Sequence, residues 1–143
     1  MRIPRLVIAG TTSGVGKTSI TCSIIYAIKK KGYSVQPFKV GPDYIDPTYL
    51  SAISGNPARN LDSWIMGEDA VLESFVKNSN SDISIIEGVM GFYDGFSGAT
   101  NQSSTHHIAT ILQSPVILVL DASKTARSIA ATATFVLLGA RRA

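Results

Sequence analysis

The stretch Gly10-Thr11-Thr12-Ser13-Gly14-Val15-Gly16-Lys17-Thr18 decides how this chain is read. It lies between an apolar run, Leu6 to Ala9, and a pattern in which Ile20, Ile24, Ala27 and Ile28 fall on one helical face. A turn so placed gathers consecutive backbone N–H groups and a helix N-terminus around one point, and its glycines let phosphate oxygens come close. Thr12, Ser13, Gly14, Val15, Gly16, Lys17, Thr18 and Ser19 are therefore the expected nucleotide-binding residues. Lys17 is expected to bridge the β- and γ-phosphates of ATP, and the Thr18 hydroxyl to ligate Mg²⁺. The common pattern G-x-x-x-x-G-K-[ST] would place its first glycine at position 11; here that residue is Thr11, and Gly10 stands one place earlier.

Working outward, apolar runs and helical patterns alternate along the whole chain, the mark of βαβ units around a parallel sheet. Strands are expected at Arg5 to Ala9, Ser34 to Val40, Ile83 to Glu87 and Val116 to Leu120. Helices are expected from about Lys17 to Lys31, Pro47 to Ser54, Glu68 to Lys77, Ser104 to Gln113 and Ser123 to Leu138. Lys29-Lys30-Lys31 before Gly32 suits a helix C-terminus, where cations meet the negative end of the dipole. The fold class is α/β, a P-loop NTPase-type three-layer fold with a mainly parallel sheet. Four strands are few for such a fold, so the sheet is expected to be incomplete at the C-terminus, leaving Val136, Leu137 and Leu138 exposed.

Composition bounds the function. A chain of 143 residues, 45% hydrophobic and only 16% charged, has the apolar content of one packed domain rather than of a disordered segment. Cys22 is the only cysteine, which excludes an internal disulfide or a multi-cysteine metal site and suits the cytoplasm. The net charge of +3 is spread over Arg2 and Arg5, Lys29 to Lys31, and Arg141 and Arg142, with no aromatics interleaved, so no nucleic acid is expected. No run approaches the ~18 apolar residues of a membrane helix, so no membrane is expected either.

Two further stretches carry chemistry. Ile83 to Glu87 is an apolar strand ending in a carboxylate before Gly88, suited to a magnesium-facing acid. Asp121, ending the last strand, is a weaker candidate beside its reading as a helix-capping residue. Lys39-Val40-Gly41-Pro42-Asp43-Tyr44-Ile45-Asp46-Pro47 leaves the second strand at its carboxyl end, the edge where open α/β sheets bind ligands. Lys39 could there balance a carboxylate substrate, while Asp43 and Asp46 bind metal or orient an attacking group. The catalytic candidates are thus Lys17, Lys39, Asp43 and Asp46, the metal candidates Thr18, Asp43 and Glu87, and Tyr44 faces the acceptor. No serine, cysteine or histidine stands in a nucleophile's setting: Cys22 falls in the first helix, and His106 and His107 are adjacent, so they point apart.

The phosphate loop, the Lys39–Pro47 segment and Glu87-Gly88-Val89-Met90-Gly91-Phe92-Tyr93-Asp94-Gly95, in this order, resemble the N-terminal synthetase domain of cobyrinate a,c-diamide synthases. The resemblance implies an ATP-dependent amidoligase: a carboxylate of a tetrapyrrole is phosphorylated, and ammonia displaces the phosphate. It also implies that Tyr93 and Asp94 contact the macrocycle. Residues 1–143 would be part of the ATP-binding domain. Ammonia would come from glutamine through a C-terminal glutaminase-like domain outside this chain. A homodimer is compatible with the sequence. Nickel-sirohydrochlorin a,c-diamide synthases remain an alternative, as do dethiobiotin synthetases, which share the loop, the lysine and the acid. Regulatory or partitioning ATPases usually carry a second lysine where this chain has Thr12.

Overall fold

The computed structural model describes residues 2–139. Five strands, β1 (Arg5–Gly10), β2 (Val35–Val40), β3 (Arg59–Leu61), β4 (Ile83–Glu87) and β5 (Val116–Val119), form one parallel sheet in the order β3-β2-β4-β1-β5. The helices are α1 (Lys17–Lys30), α2 (Asp46–Ser54), α3 (Ser63–Met66), α4 (Glu68–Asn78), α5 (Thr105–Leu112) and α6 (Ile129–Gly139).

Alternation along the strands divides the core. Ile8, Val35 and Ile85 point to one face, where Ile25 of α1 and Leu50 of α2 cover them. Val7, Phe38 and Ile86 point to the other, under Val71 and Phe75 of α4 and Ile108 and Leu112 of α5. All of these side chains are fully buried, each contributing about 1.5–3 kcal/mol of transfer free energy. The result is the three-layer architecture expected.

Strand register sets up the site. Glu87, the last residue of β4, is paired with Ile8 of β1 on one side and Lys39 of β2 on the other. The chain runs from β1 past β4 to β2 and returns through β4 to reach β5 on the far side of β1. The loops after β1 and β4 therefore leave neighbouring strands where the winding reverses, and a crevice opens at their carboxyl ends.

Three expectations need correction. The sheet has five strands, because Arg59–Leu61 pairs with β2 at the sheet edge; a strand of three residues is too short for its apolar alternation to register. The last helix begins at Ile129 rather than Ser123, since the Asp121 carboxylate accepts the Ser123 N–H at 2.8 Å and forms a turn there. Leu137 and Leu138 are exposed as expected, with Phe135, but Val136 packs against the core. At the end of α1 the Gly32 N–H closes on the Lys29 carbonyl, with φ +90°. Arg141 and Arg142 lie outside the described residues. Among the described residues, no helix is long and apolar enough to cross a membrane.

Candidate functional site

The phosphate loop turns through Gly14 and Gly16, at φ +78° and +93°, the second forming the N-cap of α1. A side chain there would be strained. Gly10 explains the departure from the common glycine spacing. A Cβ on it would lie 2.6 Å from Val15 Cγ2 and 3.1 Å from the Lys17 stem, so the tight approach falls on the last residue of β1. Lys17 Nζ donates to the carbonyls of Thr12, at 3.0 Å, and Met90, at 2.6 Å. Burial, reinforced by the nearby Lys39 charge, pushes its pKa below the ordinary lysine value.

Glu87 is fully buried. Its Oε1 accepts from the Thr18 hydroxyl at 2.6 Å and from Lys39 Nζ at 3.0 Å, while its Oε2 has no hydrogen-bond partner. Lys39 Nζ also donates to Asp46 Oδ2 at 2.6 Å and to the Gly88 carbonyl at 3.1 Å, and lies 3.8 Å from Asp43 Oδ2. Burial raises the pKa of Glu87, with Lys39 and Thr18 opposing the shift. Burial also works against the Lys39 ammonium, but Glu87 and Asp46 outweigh it and hold its pKa above the ordinary value. Asp46 is partly desolvated, yet the Lys39 hydrogen bond and charge bring its carboxyl below the usual range.

These groups wall a cleft of about 380 Å³ lined by Ser13, Gly14, Gly16, Lys17, Thr18, Ser19, Lys39, Asp43, Asp46 and Glu87. Three carboxylates thus face two ammonium groups, in a site with room for both a cation and phosphate. Among the described residues no three His, Cys, Asp or Glu side chains are arranged to hold a metal by themselves. The donors that fit Mg²⁺ are the Thr18 hydroxyl and the unpartnered Glu87 Oε2; this hard cation commonly takes one or two protein oxygens and completes its shell with phosphate and water. Asp43 also shapes the chain: its Oδ1 accepts the N–H groups of Ile45 and Asp46 at 2.8 and 3.1 Å, starting α2.

Other expected residues lie apart. Thr12 and Val15 support the loop without lining the cleft, and Tyr44 stands 85% exposed beyond it. Tyr93 and Asp94 line a second pocket, of about 280 Å³, with Asn101 opposite. The Tyr93 hydroxyl donates to the Val136 carbonyl, its ring packs on Phe92 and His106, and Asp94 accepts the Gly91 N–H at 2.9 Å. Asp121 does not line the cleft. Cys22 packs half-buried beside the Ile8 cluster, where burial raises its thiol pKa, an inert setting. Sequence reasoning missed Val89 and Met90, which line the cleft, and Thr105, whose hydroxyl bonds both the N–H and the carbonyl of Val89. Met90 acts through its main chain, which no side-chain pattern reveals; its only signal is its place in the glycine-punctuated loop.

Known proteins resemble this chain over most of its length. The chain is 53% identical over 128 residues to a cobyrinate a,c-diamide synthase of Priestia megaterium, an alignment covering 89% of this chain and 28% of that protein. A synthase of the same name from Dehalococcoides mccartyi (strain ATCC BAA-2266 / KCTC 15142 / 195) is 50% identical over 132 residues, 92% of this chain and 28% of the relative. The chain therefore spans under a third of the length of these relatives. A crystal structure of a DUF1611 family protein from Anabaena variabilis shares the fold, with a TM-score of 0.51 at 21% identity over 82% of this chain and 32% of that one. Residues 6–137, which hold the phosphate loop, Lys39 and Glu87, match the family described as the CobQ/CobB/MinD/ParA nucleotide binding domain, and to that family this chain belongs.

Proposed function

We propose that this chain is the ATP-binding portion of a cobyrinate a,c-diamide synthase and activates the a and c acetate carboxylates of the macrocycle for amidation. The observation that carries the reading is the hydrogen-bonded series Thr18–Glu87–Lys39–Asp46, which joins the phosphate loop to the segment after β2 without a break. A phosphoryl donor on one side and a carboxylate acceptor on the other would meet across it. The acceptor oxygen attacks the γ-phosphorus, the bond to ADP breaks, and an acyl phosphate forms. Ammonia then attacks the acyl carbon, releasing phosphate and a proton and leaving the amide.

In this reading Lys17 neutralises charge on the transferring phosphoryl group. Lys39, fixed by its two carboxylate partners, draws the acceptor carboxylate in, and Asp43 and Asp46 set the entry of that arm. Thr18 and Glu87 would hold Mg²⁺, which supplies charge neutralisation on the phosphates. Neither step requires a protein nucleophile, in keeping with the packed position of Cys22.

The glutamine-hydrolysing function belongs, in this reading, to the length of the relatives that the chain does not span. The isolated chain should therefore release no glutamate from glutamine. The decisive assay gives the full-length protein MgATP and cobyrinate with ammonia or glutamine. ADP, phosphate and amide should appear in equal amounts, and Glu87→Gln should weaken magnesium-dependent turnover across a magnesium titration by more than it weakens folding. ATP turnover without amide would overturn the reading.

A further inference from the structure

At the same sheet edge, an aromatic pair stands in water. Trp64 of α3 and Phe96 of the loop after β4 stack with ring centroids 3.7 Å apart and planes 13° from parallel, and they are 55% and 59% exposed. Ile65 and Met66 extend the surface, 68% and 36% exposed. Four neighbouring apolar side chains left in solvent on a folded edge form the kind of contiguous patch that marks an interaction site.

The pair is held by a polar framework. Asp62 caps α3, its Oδ1 accepting the N–H groups of Trp64 and Ile65 at 2.8 and 3.3 Å. The Phe96 N–H donates to the Gln102 carbonyl at 3.0 Å, closing the loop on itself. Ser63 joins the two elements, with its hydroxyl 3.3 Å from Ser103 Oγ and 3.0 Å from His107 Nδ1. The Ser103 N–H donates to the same nitrogen at 3.1 Å, so Nδ1 is the acceptor and Nε2 carries the hydrogen toward Glu68 Oε1, 3.1 Å away. A Ser–His–Glu series suggests a hydrolase, but Ser63 is 91% buried by its neighbours, and Asp62 takes the adjacent N–H groups. Its work is to fix the rings, and a rigid platform binds without first losing side-chain freedom.

The platform is also tied to the cleft through the chain and one hydrogen bond. β3 leads into α3, and there Asn60 Nδ2 donates to the carbonyl of Asp43, a cleft residue, at 2.8 Å. Phe96 lies on the loop that contributes Met90 to the same cleft. An acceptor with one carboxylate arm in the cleft and a broad apolar face beyond it would rest that face here.

The geometry points to the Trp64–Phe96 pair as the platform for the macrocycle of the acceptor, a binding subsite separate from the phosphate cleft. This rests on the amidoligase reading above. Apolar contact with a flat face, rather than charge, supplies the affinity.

The test is steady-state kinetics of the full-length protein with Trp64→Ala, Phe96→Ala and the conservative Trp64→Phe, each checked by thermal melting. The two alanine variants should raise the KM for cobyrinate roughly tenfold, leave the KM for MgATP within about twofold, and leave Trp64→Phe near the parent. The fluorescence due to Trp64, read as the difference between the parent and Trp64→Phe, should also change on titration with cobyrinate without ATP. If an alanine variant does not fold, Phe96→Leu, which keeps bulk but not a flat ring, should still raise the acceptor KM. A parent that amidates cobyrinate while every folded variant keeps its acceptor KM would overturn the platform alone; so would silent fluorescence at saturating acceptor. A parent that never amidates cobyrinate would overturn both readings.

Discussion

The cleft wall and the last helix invert the usual allocation of residues. Lys39 and Glu87 are charged and almost completely buried, whereas Phe135 on α6 is 82% exposed and Leu137 63%. At the cleft, strand register brings opposite charges together, so burial is tolerated because each charge has partners. On α6 the large apolar residues Phe135, Val136, Leu137 and Leu138 are consecutive and fall on every side, so no rotation of the helix could hide all of them from solvent. At these two places burial follows the partners within reach rather than hydropathy.

The sharpest way to break that contrast is to remove one buried charge. Lys39→Met leaves Glu87 uncompensated in the sheet and should cost about 3–5 kcal/mol in urea denaturation, while pairing it with Glu87→Leu should recover most of the loss. Lys17→Ala comes next. Its partners are carbonyls rather than a buried carboxylate, so the fold should survive, while ATP-dependent turnover should fall about 10²–10³-fold, read as ADP release.

Asp46 gives a pH signature of about 1 kcal/mol. Its carboxyl is held below the usual range by Lys39, against partial desolvation, so its contribution exists above the ordinary carboxyl pKa of about 3.9 and is lost as pH falls through the lower folded value. Asp46→Asn should therefore flatten the decline of melting temperature below about pH 4. The smallest effect belongs to the other region: Phe135→Lys should change stability by less than about 0.5 kcal/mol, and should reduce self-association in light scattering. A large loss there would show that α6 is better packed than its exposure says.

The inversion also marks what could be read beforehand. The phosphate loop, Lys39 and Glu87 announce themselves because strand–turn–helix order forces their surroundings, and the run Ile83 to Glu87 places its acid at a strand end. Arg59–Leu61 and Ser63–Met66 escaped because neither is long enough to show a period, although Asp62 and Gly67 frame the second as N-cap and C-cap. The direct bond from Thr18 to Glu87 depends on residues 69 positions apart, and local pattern could supply the two ends but not their meeting. The resemblance implies contact of Tyr93 with the macrocycle; its packing on His106 and α6 is a separate, tertiary contact that chain order does not contain.

The grip on Lys17 changes what nucleotide affinity means for this protein. The carbonyls of Thr12 and Met90 occupy the ammonium that a triphosphate would use, and Met90 holds its carbonyl there from a left-handed backbone, φ +47°. They are a built-in competitor: an incoming phosphate exchanges for two existing bonds, each worth about 1.5–3 kcal/mol, instead of adding new ones. The exchange is favourable to the extent that a charged phosphate oxygen is a better acceptor for the ammonium than a neutral carbonyl.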